Sequence, residues 1–320
     1  MDAPRKFQVL LASPRGFCAG VERAIETVKQ SLEEYQKPVY VLHEIVHNRH
    51  VIEELRESGA IFVEYLSDVP QGGVVIFSAH GVSKAVERCA AELNVLSVNA
   101  TCPLVTSVHR MVERYYAEGC NVLIIGHHNH PEVEGSAGRV PDGVQVVASV
   151  EEAEKVQVVD PHKVGYVTQT TLTQSDISGI IATLKRRFPD IRGPRSNICF
   201  ATQNRQDAVR DLAKRTELIF VVGSKNSSNS NRLKEVAVRR NIPAHLIDDA
   251  SDIDPQWLEG VSRIGITAGA SAPERLVKGV LDWLKAYGEV EIEQLRGVKE
   301  HTHFEPAPLP KKELPKQVLS

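Results

Sequence analysis

The sequence has no pair of cysteines close enough for the C-x-x-C ligand spacing of a structural zinc site. Its five cysteines, Cys18, Cys89, Cys102, Cys120 and Cys199, are odd in number and widely spread. That excludes an ordinary disulfide framework and fits a reducing compartment, where a cysteine is a buried small hydrophobe, a reactive thiol or a metal ligand. No apolar run approaches the roughly 18–20 residues that cross a bilayer. The apolar part of the N-terminal MDAPRKFQVLLASPRG is too short for a signal peptide. A cytoplasmic chain with no membrane partner is therefore expected. Charge of either sign is nearly balanced, at −3 net, so there is no support for a nucleic-acid partner, which would want a basic stripe. Walker A and GxGxxG sequences are both missing, so neither nucleotide signature applies.

What is present is repetition. The same order of elements runs three times, and each unit opens with a cysteine followed by an amphipathic helix. After Cys18 the apolar positions are Val21, Ala24, Ile25, Val28 and Leu32. After Cys102 they are Leu104, Val105, Val108, Met111, Val112 and Tyr115. After Cys199 they are Ala208, Val209, Leu212 and Ala213. Spacings of three and four place one apolar stripe on each helix, and Pro103 suits a first helical position. Each unit then has an apolar strand entering a polar loop: Pro38–His47, Asn121–Glu132 and Leu218–Asn229. A second such strand ends near Ser78–Gly81, Thr168–Thr171 and Thr267–Ser271. Strands alternating with helices predict an α/β fold with mainly parallel sheets. The expected architecture is three small lobes in pseudo-threefold (trefoil) arrangement around a central site. Their bounds are 1–101 (Cys18, His47, His80), 102–198 (Cys102, His130, Glu132, Thr170) and 199–290 (Cys199, Ser227, Asn229, Ser271), with residues 7–13 a candidate to pair with another lobe. Residues 291–320 read as a C-terminal extension, partly disordered, because from Lys299 onward prolines and lysines replace any periodicity.

Cys18, Cys102 and Cys199 share a context that Cys89 and Cys120 do not. Cys89 lies inside a helix pattern and Cys120 at a turn, where an unreactive thiol is the ordinary outcome. A thiolate at a helix N-terminus gains from unpaired N–H groups and the positive end of the dipole. Three facing one cavity repel unless a cation sits between them; the competing reading is three packed cysteines that happen to open helices. Single cysteines from three lobes suit an iron–sulfur cluster. Since 4Fe–4S clusters normally take four cysteines, three leave one iron open, and an open metal position suits substrate chemistry.

The strand-end loops add His47, His80, His130, Glu132, Thr170, Ser227, Ser228, Asn229 and Ser271. The run Gly223–Arg232 opens a helix with Ser and Asn donors, which makes either an anion site or a plain capping loop. Each histidine alone is more often structural; three at equivalent places in a repeat point to an anion. Glu132 is a candidate general acid, with a capping role as the alternative. Thr170 and Thr171 orient a hydroxyl or simply fill a loop. Two other classes stay open at this point: an iron–sulfur sensor, which needs a fourth ligand, and a cysteine-nucleophile hydrolase, which needs only one Cys and one His.

The segments Pro14–Val21, His43–Asn48, Phe77–Val82, Ala100–Pro103, Gly126–Gly135, Thr168–Thr171, Ile198–Thr202, Gly223–Ser230 and Thr267–Pro273 together resemble those of the 4-hydroxy-3-methylbut-2-enyl diphosphate reductase (IspH/LytB) family, from about residue 8 to 290. The resemblance implies reductive dehydroxylation of (E)-4-hydroxy-3-methylbut-2-enyl diphosphate to isopentenyl and dimethylallyl diphosphate, the last step of the methylerythritol phosphate route to isoprenoids. It implies one 4Fe–4S cluster on Cys18, Cys102 and Cys199, with the fourth iron open to the substrate hydroxyl. His47, His80, His130, Ser227, Ser228, Asn229 and Ser271 would hold the diphosphate. Glu132 would support protonation, and Thr170 would place the hydroxyl and relay the proton. It implies the trefoil fold as well. A ferredoxin or flavodoxin is the expected electron donor, and a monomer the expected state.

Overall fold

The computed structural model describes residues 5–36 and 38–311. The chain begins with β1 (Lys6–Leu11) and α1 (Ala19–Tyr35), then runs through β2 (Val39–Leu42), α2 (Arg49–Glu57), β3 (Ala60–Val63), β4 (Val74–Phe77), α3 (Lys84–Glu92) and β5 (Leu96–Asn99). A second unit follows: α4 (Pro103–Ala117), β6 (Asn121–Ile125), α5 (Pro131–Ala137), β7 (Val144–Val147), α6 (Val150–Lys155), β8 (Val164–Thr168) and α7 (Gln174–Arg187). The third comprises α8 (Phe200–Leu212), β9 (Leu218–Val222), α9 (Ser228–Val238), β10 (Ala244–Ile247), β11 (Arg263–Ala268), α10 (Glu274–Tyr287) and β12 (Glu289–Gln294).

Three separate sheets result, in the orders β3-β2-β4-β5, β7-β6-β8 and β10-β9-β11-β1-β12. Every pairing is parallel. Parallel neighbours need crossovers, and helices supply them. Sheets of this kind carry apolar residues on both faces. Thus β9, Leu-Ile-Phe-Val-Val, is buried at every position. Leu218, Phe220 and Val222 pack towards α10, while Ile219 and Val221 pack towards α8 and α9. The fold is α/β with three parallel sheets, as the alternating pattern predicts.

The first strand does not join the sheet that follows it in sequence. β1 lies between β11 and β12 of the third sheet. β12 in turn crosses the expected bound at residue 290, so its last four residues belong to the stretch read from sequence as an extension. The tail beyond it has no helix or strand as far as residue 311, yet it is packed. Ala307 is 3% exposed and joins the core of the first lobe together with Leu309. Its N–H donates to Thr27 Oγ1 at 2.9 Å. Proline removes periodicity without preventing an extended segment from burying its apolar side chains. Residues 312–320, where the disorder reading also falls, lie outside the described residues.

The three units share one backbone device. At the end of the central strand pair, Ala79 N–H donates to Ile45 O, Gln169 N–H to Ile125 O and Gly269 N–H to Val222 O. One or no residues further on, each loop accepts the backbone N–H of a cysteine from another part of the chain. Cys102 donates to Ala79 O at 3.0 Å, Cys199 to Thr170 O at 3.2 Å and Cys18 to Ala270 O at 3.2 Å. Each lobe's strand end therefore fixes a cysteine of a neighbouring unit, and the site lies at the carboxyl ends of all three sheets, where ligands collect in open α/β folds.

Candidate active site

Cys18, Cys102 and Cys199 occupy the N-cap positions of α1, α4 and α8. Helix α1 can approach the Cys102 thiol because residue 20 is glycine: a Cβ there would sit 2.6 Å from Cys102 Sγ and 4.0 Å from Cys18 Sγ. Burial pushes the Cys102 thiol up to about 12, against hydrogen bonds from the Leu104 and Val105 backbone, and the neighbouring Cys18 and Cys199 push it the same way. Burial likewise takes Cys199 up to about 11, with Cys18 and Glu132 adding to it. The three sulfurs thus sense one another's charge. Among the described residues no three His, Cys, Asp or Glu close on one point as ligands of a single ion. Three thiols that open three helices and act on one another's ionisation are a donor set that a 4Fe–4S cluster would fit. Thiols this hard to ionise are the opposite of what an activated cysteine nucleophile needs. Iron would supply the positive charge that makes three half-buried thiolates tolerable.

Cys89 is exposed and Cys120 is buried. The Cys120 sulfur accepts from the Arg192 guanidinium at 2.6 Å. Neither takes part in the cysteine group described above.

Glu132, in the first turn of α5, is 2% exposed. Its Oε1 accepts the Thr170 N–H at 2.7 Å and its Oε2 accepts the Thr170 hydroxyl at 2.8 Å. Burial raises its pKa to about 7, only partly offset by those two bonds. Because the Thr170 carbonyl also receives the Cys199 N–H, one residue joins the carboxyl to the cysteine. Glu134, two residues on, is exposed.

Three imidazoles meet beside this pair. His47 and His80 stack at 4.2 Å between ring centroids, and His130 stands edge-on to both at 5.9 Å. His130 caps α5, its Nδ1 accepting the Glu132 N–H at 3.1 Å. Burial and the other histidines hold His80 well below the usual imidazole value, and burial with His47 holds His130 at about 4. A cleft of about 1010 Å³ opens alongside, lined by His47, His80, Glu44 and Asn226 among others.

The third lobe contributes the start of α9. Ser227 is its N-cap, accepting the Ser230 N–H at 3.3 Å, so the capping role holds for this serine. Ser228 Oγ accepts from Thr171 Oγ1 at 3.0 Å and from Gln169 Nε2 at 3.4 Å. Asn229 is 5% exposed, and neither its Oδ1 nor its Nδ2 has a partner among the described residues. Ser271 Oγ donates to the His47 carbonyl at 2.8 Å.

These contacts join Glu132 to Thr170 and the Cys199 backbone, group His47, His80, His130 and Ser271, and tie Ser228 to Thr171 and Gln169, while Asn229 stays outside them. Comparison with known proteins then decides the family. The family model described as LytB protein matches residues 9–285.

The chain belongs to the LytB family.

Among curated LytB relatives, a 4-hydroxy-3-methylbut-2-enyl diphosphate reductase of Desulfotalea psychrophila is 61% identical, over 96% of this chain and 98% of that one. One of Azoarcus sp. is 53% identical, over 95% and 97%. The solved structure of the Plasmodium falciparum E-1-hydroxy-2-methyl-but-2-enyl-4-diphosphate reductase superposes with a TM-score of 0.87 at 38% identity, covering 98% of this chain and 96% of that one. A second solved structure, of an (E)-4-hydroxy-3-methyl-but-2-enyl diphosphate reductase described as the terminal enzyme of the non-mevalonate pathway, gives 0.64 at 31% identity, covering 88% and 99%.

The LytB site also contains residues that the sequence reading did not single out. Glu44 Oε2 lies 2.7 Å from His47 Nδ1 and accepts from Asn226 Nδ2 at 2.8 Å. Gln169 accepts the His127 N–H at 3.0 Å while it donates to Ser228. Arg205, 1% exposed, donates to the Gly16 and Phe17 carbonyls, to Ala201 O and to Glu300. It clamps the loop before Cys18 onto the helix after Cys199. No local pattern announces a buried arginine on an amphipathic helix.

Proposed function

We propose that this chain reduces (E)-4-hydroxy-3-methylbut-2-enyl diphosphate, removing its allylic hydroxyl to give isopentenyl and dimethylallyl diphosphate as the final step of the methylerythritol phosphate route. The observation that carries the reading is the position of Thr170. Its N–H and hydroxyl hold a buried carboxyl, and its carbonyl holds the backbone of a cysteine. Acid and cysteine group are thereby fixed relative to each other by a single residue.

Cys18, Cys102 and Cys199 are assigned to one 4Fe–4S cluster with one iron lacking a protein ligand. When bound, that group supplies two electrons singly and a Lewis-acidic position for the hydroxyl oxygen. In balance, one C–O bond breaks, one C–H bond forms, two electrons and two protons are taken up, and one water leaves.

The chain's own residues manage the protons and the anion. With a pKa near 7, Glu132 is substantially protonated at neutral pH. In that form its carboxyl can donate to Thr170 Oγ1, which frees the threonine hydroxyl hydrogen to be passed to the departing oxygen. Burial keeps bulk water from short-circuiting this transfer. At the other end His47, His80 and His130, with the start of α9 and Ser271, are assigned to the diphosphate. The unpartnered amide of Asn229 supports this, since a buried polar group without a partner is costly until a ligand satisfies it. Fixing the anion places the reacting carbon, which is positioning catalysis. A reduced ferredoxin or flavodoxin as donor and a cytoplasmic monomer follow from the family resemblance.

The test is product analysis. Protein purified without oxygen, given a low-potential reductant and the substrate, should form both products in D₂O with deuterium at the protonated carbon. Cys18→Ser, Cys102→Ser and Cys199→Ser should each lose iron and turnover, and Cys89→Ser should lose neither. Retention of iron in any of the first three would overturn the ligand assignment.

A further inference from the structure

The three imidazoles of the anion site are not equivalent, and the difference lies in one carboxylate. His130 uses Nδ1 to accept the Glu132 N–H, so in its neutral form its proton sits on Nε2. His80 Nδ1 lies 3.4 Å from Ser78 Oγ and has no acidic neighbour in hydrogen-bond contact among the described residues. His47 alone has a carboxylate on Nδ1, Glu44 at 2.7 Å. Rings centred 4.2 and 5.9 Å apart cannot all be charged, because like charges at that range repel strongly. The proton goes where a counter-charge waits for it.

Glu44 is itself well suited to this. Partial burial pushes its pKa up, but the bond and charge of His47 and the Asn226 amide outweigh that and hold it below the usual carboxylate range. Its Oε2 takes both partners. Asn226 immediately precedes Ser227 and Ser228 at the start of α9, so Glu44 also joins the first lobe's histidine to the third lobe's serines. The other ionisable groups around the Glu44–His47 pair are His80 and His130 on the facing loops, His43 on the same loop, Arg49, Glu53 and Arg56 on α2, Glu64 after β3, Glu134 on α5, and Lys225 and Asp248 of the third lobe.

We infer that Glu44 is a positioning residue for the substrate diphosphate: it makes His47 the one charged imidazole of the three and leaves the His47 Nε2–H free for the anion. Three Nε2 donors and one positive charge then face the diphosphate. This inference rests on the assignment of the three histidines to that group.

The experiment uses the iron-loaded enzyme and measures KM for substrate and the inhibition constant of inorganic diphosphate between pH 6 and 8.5. Neither constant depends on the fraction of enzyme that carries the cluster. Glu44→Gln keeps the shape and should raise both about tenfold at pH 8 with kcat changed less than about threefold, as expected for loss of one charge-assisted contact in binding. Near pH 6, below the ordinary imidazole value, the excess should shrink to about threefold or less. Asn226→Ala removes one of the groups that hold Glu44 ionised but leaves the Glu44–His47 pair, so it should raise both constants less than Glu44→Gln does. An effect of Glu44→Gln that is absent, or equal at all pH values, overturns the inference, as does an Asn226→Ala variant that reproduces it in full. His47→Ala separates the two levels. If it leaves the inhibition constant of inorganic diphosphate unchanged, the diphosphate assignment itself fails. If it weakens binding at every pH, that assignment stands and Glu44→Gln alone decides.

Discussion

Replacing Glu132 by glutamine tests the acid role most sharply, because the structure predicts opposite effects on turnover and on stability. The carboxyl is 2% exposed and its pKa is raised to about 7 from an ordinary 4.5. That difference favours the protonated form by about 3 kcal/mol. At pH 7 about half of the Glu132 side chains then carry a proton, against well under 1% for an unperturbed glutamate. Glutamine has no proton to give, so kcat should fall by about 10²–10⁴. The hydrogen bonds survive the change: the amide oxygen accepts the Thr170 N–H and the amide nitrogen donates to Thr170 Oγ1. Cluster assembly should therefore be unaffected. The stability effect has a definite sign. A carboxyl with a raised folded-state pKa contributes stability that is full below about pH 4.5 and lost as pH rises through about 7. Between pH 6 and 8 this one group costs the parent about 1 kcal/mol, and the variant is free of that cost. Denaturant midpoints of the iron-free chains at the two pH values, set beside steady-state turnover of the loaded enzymes, make the comparison. Turnover within about threefold of the parent would refute the acid role. A variant that loses activity and stability together would show that Glu132 acts through the fold instead.

Two further substitutions probe the assignment from other sides. Gly20→Ala puts a Cβ at 2.6 Å from Cys102 Sγ and 3.3 Å from its Cβ, so the thiol must move; iron per chain should fall by more than half with the circular dichroism spectrum retained, and a full complement of iron would contradict the geometry. Asn229→Ala removes a buried amide that has no protein partner, so melting temperature should hold or rise while KM increases about tenfold, and an unchanged KM would release Asn229 from the substrate.

Much of this arrangement is legible in sequence because it rests on local rules. The three cysteines announce themselves by opening amphipathic stripes, and the stripe after Cys18 is buried where the pattern puts it, at Val21, Ala24, Ile25 and Val28. Pro103 stands at the first position of α4, where a missing N–H does no harm. The strand-end histidines and serines are legible because parallel sheets gather polar loops at one end. What is not legible is pairing at long range. Residues 7–13 stand out as a candidate to pair with another lobe, but nothing within Lys6–Leu11 says that its place is between β11 and β12, more than about 250 residues away. The docking of Ala307 on Thr27 is equally silent, since proline-rich sequence lacks the periodicity that reports burial. Glu44, Gln169 and Arg205 were missed for a related reason. Each is polar in a position where at least one partner comes from another lobe, Asn226 for Glu44, Ser228 for Gln169 and the Gly16 and Phe17 carbonyls for Arg205, and the fate of a polar residue follows from its partners rather than from its neighbours in sequence.

The central claim is that three cysteines from three lobes hold a cluster that reduces an allylic diphosphate. The most direct measurement is a single-turnover experiment on protein purified without oxygen, in which iron, electrons consumed and products formed are counted together. The account predicts about four irons per chain and two electrons used for each molecule of isopentenyl or dimethylallyl diphosphate. Iron-loaded protein that takes up electrons but leaves the substrate hydroxyl in place would contradict it.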